Sequence, residues 1–338
     1  MSTVREARAP RFARDLDLTR GTTPLVRARP LSYDGSMTAP TATLPRGVCV
    51  ALATPVHADG GLDVASLERL VAHAVEGGVR GVCPVGSTGE GPRLTMDERL
   101  TVARRVRALL PGDVALVPAV AATAVAAVTE ELQRLGDVGV SAVMVSAPSY
   151  YPLALDEAAP FYERLADASP VPILVYNIPM FTKVAVPVAA VATLAGHPRV
   201  VGIKDSSRDM EYLTQVVAGT RESPDFRVYT GTDTLLLASL VSGAHGTIAA
   251  SANLVPELSV ALCAAVDRGD LDEARRLQER LAAVVHACRK GAAPGGWKAA
   301  LAERALCGPD CLPPAQALAA PLRRQLADEL RALDVLPA

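Results

Sequence analysis

Residues 200–205 read Val-Val-Gly-Ile-Lys-Asp, an apolar run with three β-branched residues that stops abruptly on a lysine and an aspartate. A short apolar run without polar alternation is how a strand buried on both faces reads, as in a parallel sheet wrapped by helices. Lysine is among the residues least often buried without a partner or a task. Lys204 therefore marks the point where a strand leaves the core. Working outward, runs of the same kind recur at 48–54, 81–85, 114–120, 141–146, 172–177, 227–231 and 245–250. Amphipathic stretches at 64–76, 95–110, 124–135, 156–168, 187–195, 209–218 and 234–241 separate them and predict helices. Eight such β-α units in roughly 220 residues predict an α/β fold of the (β/α)8 TIM-barrel type rather than an open doubly wound sheet.

After Pro256 only helical patterns remain, and 270–288 and 321–333 predict a terminal helical layer. Residues 1–46 differ: they are rich in Arg, Pro, Thr and Gly and lack apolar periodicity. The expected organisation is a flexible lead over 1–46, a barrel over 47–269 and a C-terminal helical region over 270–338. The lead has no continuous apolar segment of a secretory signal. Glu6, Asp15, Asp17 and Asp34 argue against a transit peptide, and Met37 offers an alternative start.

With 34 Lys plus Arg against 36 Asp plus Glu in 338 residues, nothing calls for nucleic acid or an anionic membrane. Charged residues interrupt every apolar stretch before the roughly 18 residues needed to span a bilayer, so a soluble, cytoplasmic protein is expected. Six scattered cysteines read as small buried hydrophobes in a reducing compartment. Cys307 and Cys311 lie four apart, yet no histidine or second pair follows, and the five histidines show no ligand spacing. No metal site is expected.

In such a fold chemistry sits at the carboxyl ends of the strands. Three runs end in reactive or adaptable residues: Gly86-Ser87-Thr88-Gly89-Glu90-Gly91 after the second, Tyr176-Asn177 at the fifth, and Lys204-Asp205 at the sixth. Successive N–H groups in a glycine-rich turn form a concavity that suits an anion such as a carboxylate. A phenol can pass protons at a reacting centre. An amine in a low-dielectric pocket is freed from its proton and can attack a ketone to form a Schiff base. Each element also has a plain structural reading: an ordinary turn, a packed tyrosine, and a lysine reaching to solvent or to Asp205. Their convergence at one end of one fold favours chemistry.

Five ordered motifs, Ala51-Leu52-Ala53-Thr54-Pro55, Gly86-Ser87-Thr88-Gly89-Glu90, Tyr176-Asn177-Ile178-Pro179, Gly202-Ile203-Lys204-Asp205 and Gly246-Thr247-Ile248, resemble the dihydrodipicolinate synthase and N-acetylneuraminate lyase superfamily of pyruvate-dependent class I aldolases. The resemblance runs from about Gly47 to the C-terminus. It implies a Schiff base between Lys204 and pyruvate or a related 2-keto acid, with no cofactor beyond that covalent imine, and an aldehyde as second substrate. It implies that Tyr176 is the proton shuttle, that the N–H groups of Ser87 and Thr88 hold the keto-acid carboxylate, and that the Thr88 hydroxyl relays to Tyr176. Tyr150 matches the tyrosine that crosses from a neighbouring subunit, in a homotetramer built from dimers, and Ile248 contributes the carbonyl facing the lysine.

The sequence departs from the family in places. Phe181 stands where the synthases of lysine biosynthesis place an arginine on the acceptor carboxylate, and Lys183 two residues on offers only a shifted point charge. Met96 and Arg99 replace the histidines of the lysine-feedback site, so feedback is not expected. Thr234 and Ala250 stand where the sialate lyases use an acid and a serine. The resemblance thus leaves a true 4-hydroxy-tetrahydrodipicolinate synthase and a keto-deoxy-sugar-acid or sialate-type aldolase open as alternatives, with a keto-acid-binding regulatory barrel as the non-enzyme reading.

Overall fold

The computed structural model describes residues 44–337; the flexible lead expected over 1–46 lies, up to residue 43, outside the described residues. Nine parallel strands form one curled sheet: β1 (Gly47–Ala51), β2 (Gly81–Cys83), β3 (Ala115–Leu116), β4 (Ala119–Val120), β5 (Val143–Ser146), β6 (Ile173–Asn177), β7 (Val200–Asp205), β8 (Arg227–Thr230) and β9 (Gly246–Ala249). Their order is β3-β2-β1-β9-β8-β7-β6-β5-β4. The sequence pattern gives eight strands and the structure nine, because the run 114–120 is split at Val117-Pro118. Pro118 has no N–H to give to a ladder, while its carbonyl still accepts from the Met144 N–H at 2.9 Å.

Twelve helices accompany the sheet among the described residues. The first seven are α1 (Val64–Glu76), α2 (Met96–Leu109), α3 (Val125–Gly136), α4 (Ala158–Ala168), α5 (Pro179–Thr182), α6 (Val188–Leu194) and α7 (Met210–Gly219). The others are α8 (Leu236–Val241), α9 (Pro256–Asp267), α10 (Leu271–Cys288), α11 (Gly295–Glu303) and α12 (Ala320–Ala332). Their starts follow local chemistry. Thr95 and Glu98 form a capping box at α2, and Asp63, Asp209 and Asp270 accept from the first free N–H groups of α1, α7 and α10. No helix among the described residues is long and apolar enough to cross a membrane.

Side-chain alternation divides the strands between two buried clusters. Val48, Val50, Val143, Val145, Val175, Ile203 and Val228 pack outward with the helices, whereas Cys49, Cys83, Met144, Leu174, Tyr176, Tyr229 and Ile248 pack together on the concave face. Residues one apart on a strand thus face different worlds. A charged side chain tolerable on one face is destructive on the other.

The terminal helical layer is fastened to the sheet by a buried ion pair. Lys298 on α11 lies 2.6 Å from a carboxylate oxygen of Glu90, with both side chains fully buried. Lys298 also donates to the Asp310 carbonyl at 2.7 Å, and the other Glu90 oxygen accepts from Arg93 at 2.7 Å and from the Leu312 N–H at 2.9 Å. Removing one partner of such a pair strands a buried charge, at a cost of about 3–5 kcal/mol. Lys298→Met is therefore expected to lower the free energy of urea unfolding by about 3 kcal/mol, and Glu90→Gln in the same chain to restore part of the loss. An unchanged urea midpoint for Lys298→Met would show that the pair contributes nothing.

Candidate active site

Parallel pairing of β6 with β7 sets Tyr176 directly opposite Lys204, and β7 with β8 sets Lys204 opposite Tyr229. The three side chains share the concave face, but they do not converge. The Tyr229 hydroxyl donates to the Pro45 carbonyl at 2.6 Å, before β1 and so toward the amino ends of the strands, and burial pushes this phenol far above its ordinary range. Lys204, only 5% exposed, instead lays its ammonium 4.4 Å from the centre of the Tyr176 ring. At that distance the ring face stabilises a cation without a counter-charge. Among the described residues Lys204 forms no ion pair.

The plain reading of Lys204 as a partner of Asp205 does not describe this site. Asp205 points to the opposite face, where Asn177 donates to one of its oxygens at 2.7 Å and the Ser207 hydroxyl to the other at 2.9 Å. Burial pushes the Asp205 carboxyl up and these donors oppose the shift. Asn177 is in turn anchored by accepting from the Val186 N–H at 3.0 Å, so the acid and the amide brace the two strand ends from behind.

The turn after β2 closes the site from the other side. Gly91 passes so near Val85 that a Cβ there would lie 1.7 Å from the Val85 carbonyl oxygen, and no other residue fits. Thr54 donates to the Gly89 carbonyl at 2.6 Å and Glu90 is held in a left-handed conformation at φ 56° by its buried partners. The tightened turn presents Ser87 and Thr88, half-buried, to the cavity. The Tyr176 hydroxyl meets the Ser87 hydroxyl at 3.4 Å, a long contact. Among the described residues no hydrogen bond joins the Thr88 hydroxyl to Tyr176, and the Tyr176 hydroxyl lies nearest the Ser87 hydroxyl.

These groups line one cavity of about 730 Å³, which Ile248 also borders from β9. That is the size of a pocket for a small metabolite. Phe181 lies at the rim on α5, half exposed, together with Met180. Lys183 does not face the cavity: it sits past the end of α5 and donates to the Met180 carbonyl at 2.8 Å, so it supplies no cation in place of the missing arginine. Tyr150 is 78% exposed and stacks edge-on against Tyr151 at 5.0 Å, outside the cavity of its own chain.

Several cavity residues escaped the sequence reading. Gly231 follows β8, and a Cβ there would stand 2.8 Å from the Cε of Lys204 and 2.0 Å from the hydroxyl of Ser206. Its smallness makes room for the lysine. Arg208, Arg289 and Trp297 reach the same cavity from segments far apart in the chain. The signal for Gly231 was present, a small residue at a strand end; the others depend on tertiary structure.

A model of the dihydrodipicolinate synthetase family matches residues 44–333. A protein named 4-hydroxy-tetrahydrodipicolinate synthase, from Exiguobacterium sp., is 33% identical over 258 residues, spanning 76% of this chain and 87% of that protein. The crystal structure of dihydrodipicolinate synthase from Thermotoga maritima superposes with a TM-score of 0.84 at 27% identity, covering 87% of this chain and 100% of that one. YagE, a prophage protein of E. coli K12 belonging to the dihydrodipicolinic acid synthase family and solved in complex with pyruvate, gives 0.82 at 27% identity over 86% of this chain and 99% of its own. Matched along nearly all of its described length, the chain belongs to the dihydrodipicolinate synthetase family of pyruvate-dependent lyases.

Proposed function

We propose that the chain makes or breaks a carbon–carbon bond between pyruvate and an aldehyde through an imine on Lys204, with no metal or organic cofactor. The observation that carries this reading is an almost fully buried lysine whose ammonium rests on the ring of Tyr176 inside a metabolite-sized cavity. Among the described residues Lys204 has an aromatic face and no counter-ion, so no ion pair ties its nitrogen down and it stands at the cavity where a ketone would bind.

In this mechanism the pyruvate carboxylate lies on the N–H groups of Ser87 and Thr88. The Lys204 amine adds to the ketone carbon, and the carbinolamine loses water to give the imine. Loss of a proton from the adjoining methyl group gives an enamine, whose carbon attacks the aldehyde. The aldehyde oxygen takes up a proton, and water then hydrolyses the new imine to release product and Lys204. Tyr176 is the proton carrier: its ring covers the amine while its hydroxyl projects toward Ser87, above the carbon that changes. Ile248 supplies a backbone carbonyl on the wall, and Phe181 forms the apolar rim past which the aldehyde enters.

The curled sheet, in this reading, closes as a (β/α)8 barrel. The pieces β3 and β4 that end the strand order belong to one run, and the Val117 N–H donates to Val82 on one side while the Pro118 carbonyl accepts from Met144 on the other, both at 2.9 Å. Tyr150, exposed and outside its own cavity, is proposed to complete the relay in a second copy within a homotetramer. A second reading, a true 4-hydroxy-tetrahydrodipicolinate synthase, is favoured by the name of the Exiguobacterium relative; Phe181, which cannot form a bidentate pair with a carboxylate, weighs against it.

Incubation with pyruvate followed by borohydride is expected to add one pyruvyl group to Lys204, seen by peptide mass, and Lys204→Ala is expected to abolish both adduct and turnover while the melting temperature holds. Turnover by Lys204→Ala at near-native rates would overturn the mechanism. Gly231→Ala, which forces Lys204 aside, is expected to lower kcat/KM for pyruvate about a hundredfold with little change in melting temperature. Near-native kinetics in that variant would mean that the lysine has more room than the geometry allows.

A further inference from the structure

The charges around the cavity are unevenly answered. Besides Tyr176, six side chains of the charged types line it: Lys204, Arg93, Arg208 and Arg289 are basic, and Glu90 and Asp233 are acidic. Glu90 is consumed by Arg93, Lys298 and the Leu312 N–H. Asp233 accepts from the hydroxyl and the N–H of Ser251. Both of these bonds fall on one Asp233 oxygen, and among the described residues neither acid forms an ion pair with the two remaining guanidiniums. Among the described residues, the guanidinium groups of Arg208 and Arg289 have no hydrogen-bond or ion-pair partner, although the Arg289 backbone N–H donates to the His286 carbonyl.

The two arginines arrive by independent routes. Arg208 stands in the turn between β7 and α7, four residues beyond Lys204, in a left-handed conformation at φ 67°. That conformation is disfavoured for a residue with a side chain, and strain of this kind clusters at ligand sites. Arg289 is the residue that ends α10. Partial burial and then the charge of Arg208 hold its guanidinium below the ordinary value, with Asp233 opposing, so the two cations feel each other. Both side chains are exposed at the edge of the cavity, and Asp233 acts on Arg289 without pairing with it, so an anion bound between the two guanidiniums is favoured by both.

We infer that Arg208 and Arg289 hold an anionic group, a carboxylate or a phosphate, at the far end of the acceptor aldehyde. This assignment deepens the proposed aldolase reading and rests on it. It moves recognition of the acceptor away from α5, where Phe181 offers no charge, to two loops on which guanidiniums can form paired hydrogen bonds with oxyanions.

The test compares kcat/KM, in the presence of pyruvate, for matched aldehydes: succinate semialdehyde against butanal, and glyceraldehyde 3-phosphate against glyceraldehyde. Charge-assisted pairing predicts a preference for the anionic member of at least one couple by about ten- to a hundredfold. The couple with the larger ratio tells carboxylate from phosphate. Arg208→Gln and Arg289→Gln are each expected to reduce that ratio at least about fivefold, mainly through KM, and Arg289→Lys to retain part of it. A wild-type ratio near one in both couples, or a ratio that neither Gln variant moves, would overturn the inference. Borohydride trapping of pyruvate on the wild-type enzyme separates the two levels of failure. No adduct on Lys204 sinks the aldolase reading and this inference with it, whereas an adduct without anion preference sinks the inference alone.

Discussion

The pairing of β6 with β7 is the constraint on which the rest of the site depends. Ile173 pairs with Val200, but the next residue, Leu174, pairs with Gly202, so Val201 is an extra residue on β7. Without that bulge Tyr176 would face Ile203, and Lys204 would turn outward into the apolar layer beneath the helices. A one-residue slip exchanges the two faces of a strand. With the bulge, Leu174 and Tyr176 keep their inward row and Lys204 joins it, while Asn177 and Asp205 meet behind the sheet at 2.7 Å. The hydrogen bond at the back locks the register that the chemistry at the front requires.

The chain buries two lysines, and their surroundings assign them different work. Lys298 has no exposed side-chain surface and answers its charge with the Glu90 carboxylate and the Asp310 carbonyl. A charge so matched is fixed in place and unreactive. Lys204 has an aromatic ring and open cavity instead. The two roles meet at Glu90, which closes the glycine-rich turn that displays Ser87 and Thr88. Through this one carboxylate, the terminal helical layer acts on the shape of the site as well as on stability.

The strand runs were legible because strands buried on both faces need continuous apolar residues, and Lys204 and Tyr176 stood out where those runs stop. The helix over 64–76 was legible to the residue because Asp63 caps it and glycines follow it. The split at Pro118 was not anticipated, although the proline was in view, because the extended run continues past it on both sides. The four-residue α5 is too short to show a period, and it carries Phe181. Lys298 gave the same signal as Lys204, a lysine within an apolar stretch, but its partner lies 208 positions earlier and only the fold joins them.

Strand ends and loops are under different constraints, and the two halves of the cavity reflect this. Lys204, Tyr176 and Ile248 sit on strands, where register and alternation fix direction within narrow limits. A change of one residue there would disturb the whole sheet. Phe181, Arg208 and Arg289 sit on a short helix and two loops, which tolerate substitution as long as their backbone groups stay satisfied. The pattern around Lys204 is therefore the part that a family can share. The charge pattern at the mouth, with an aromatic ring at 181 and unanswered guanidiniums at 208 and 289, is the part by which this chain would choose its own acceptor.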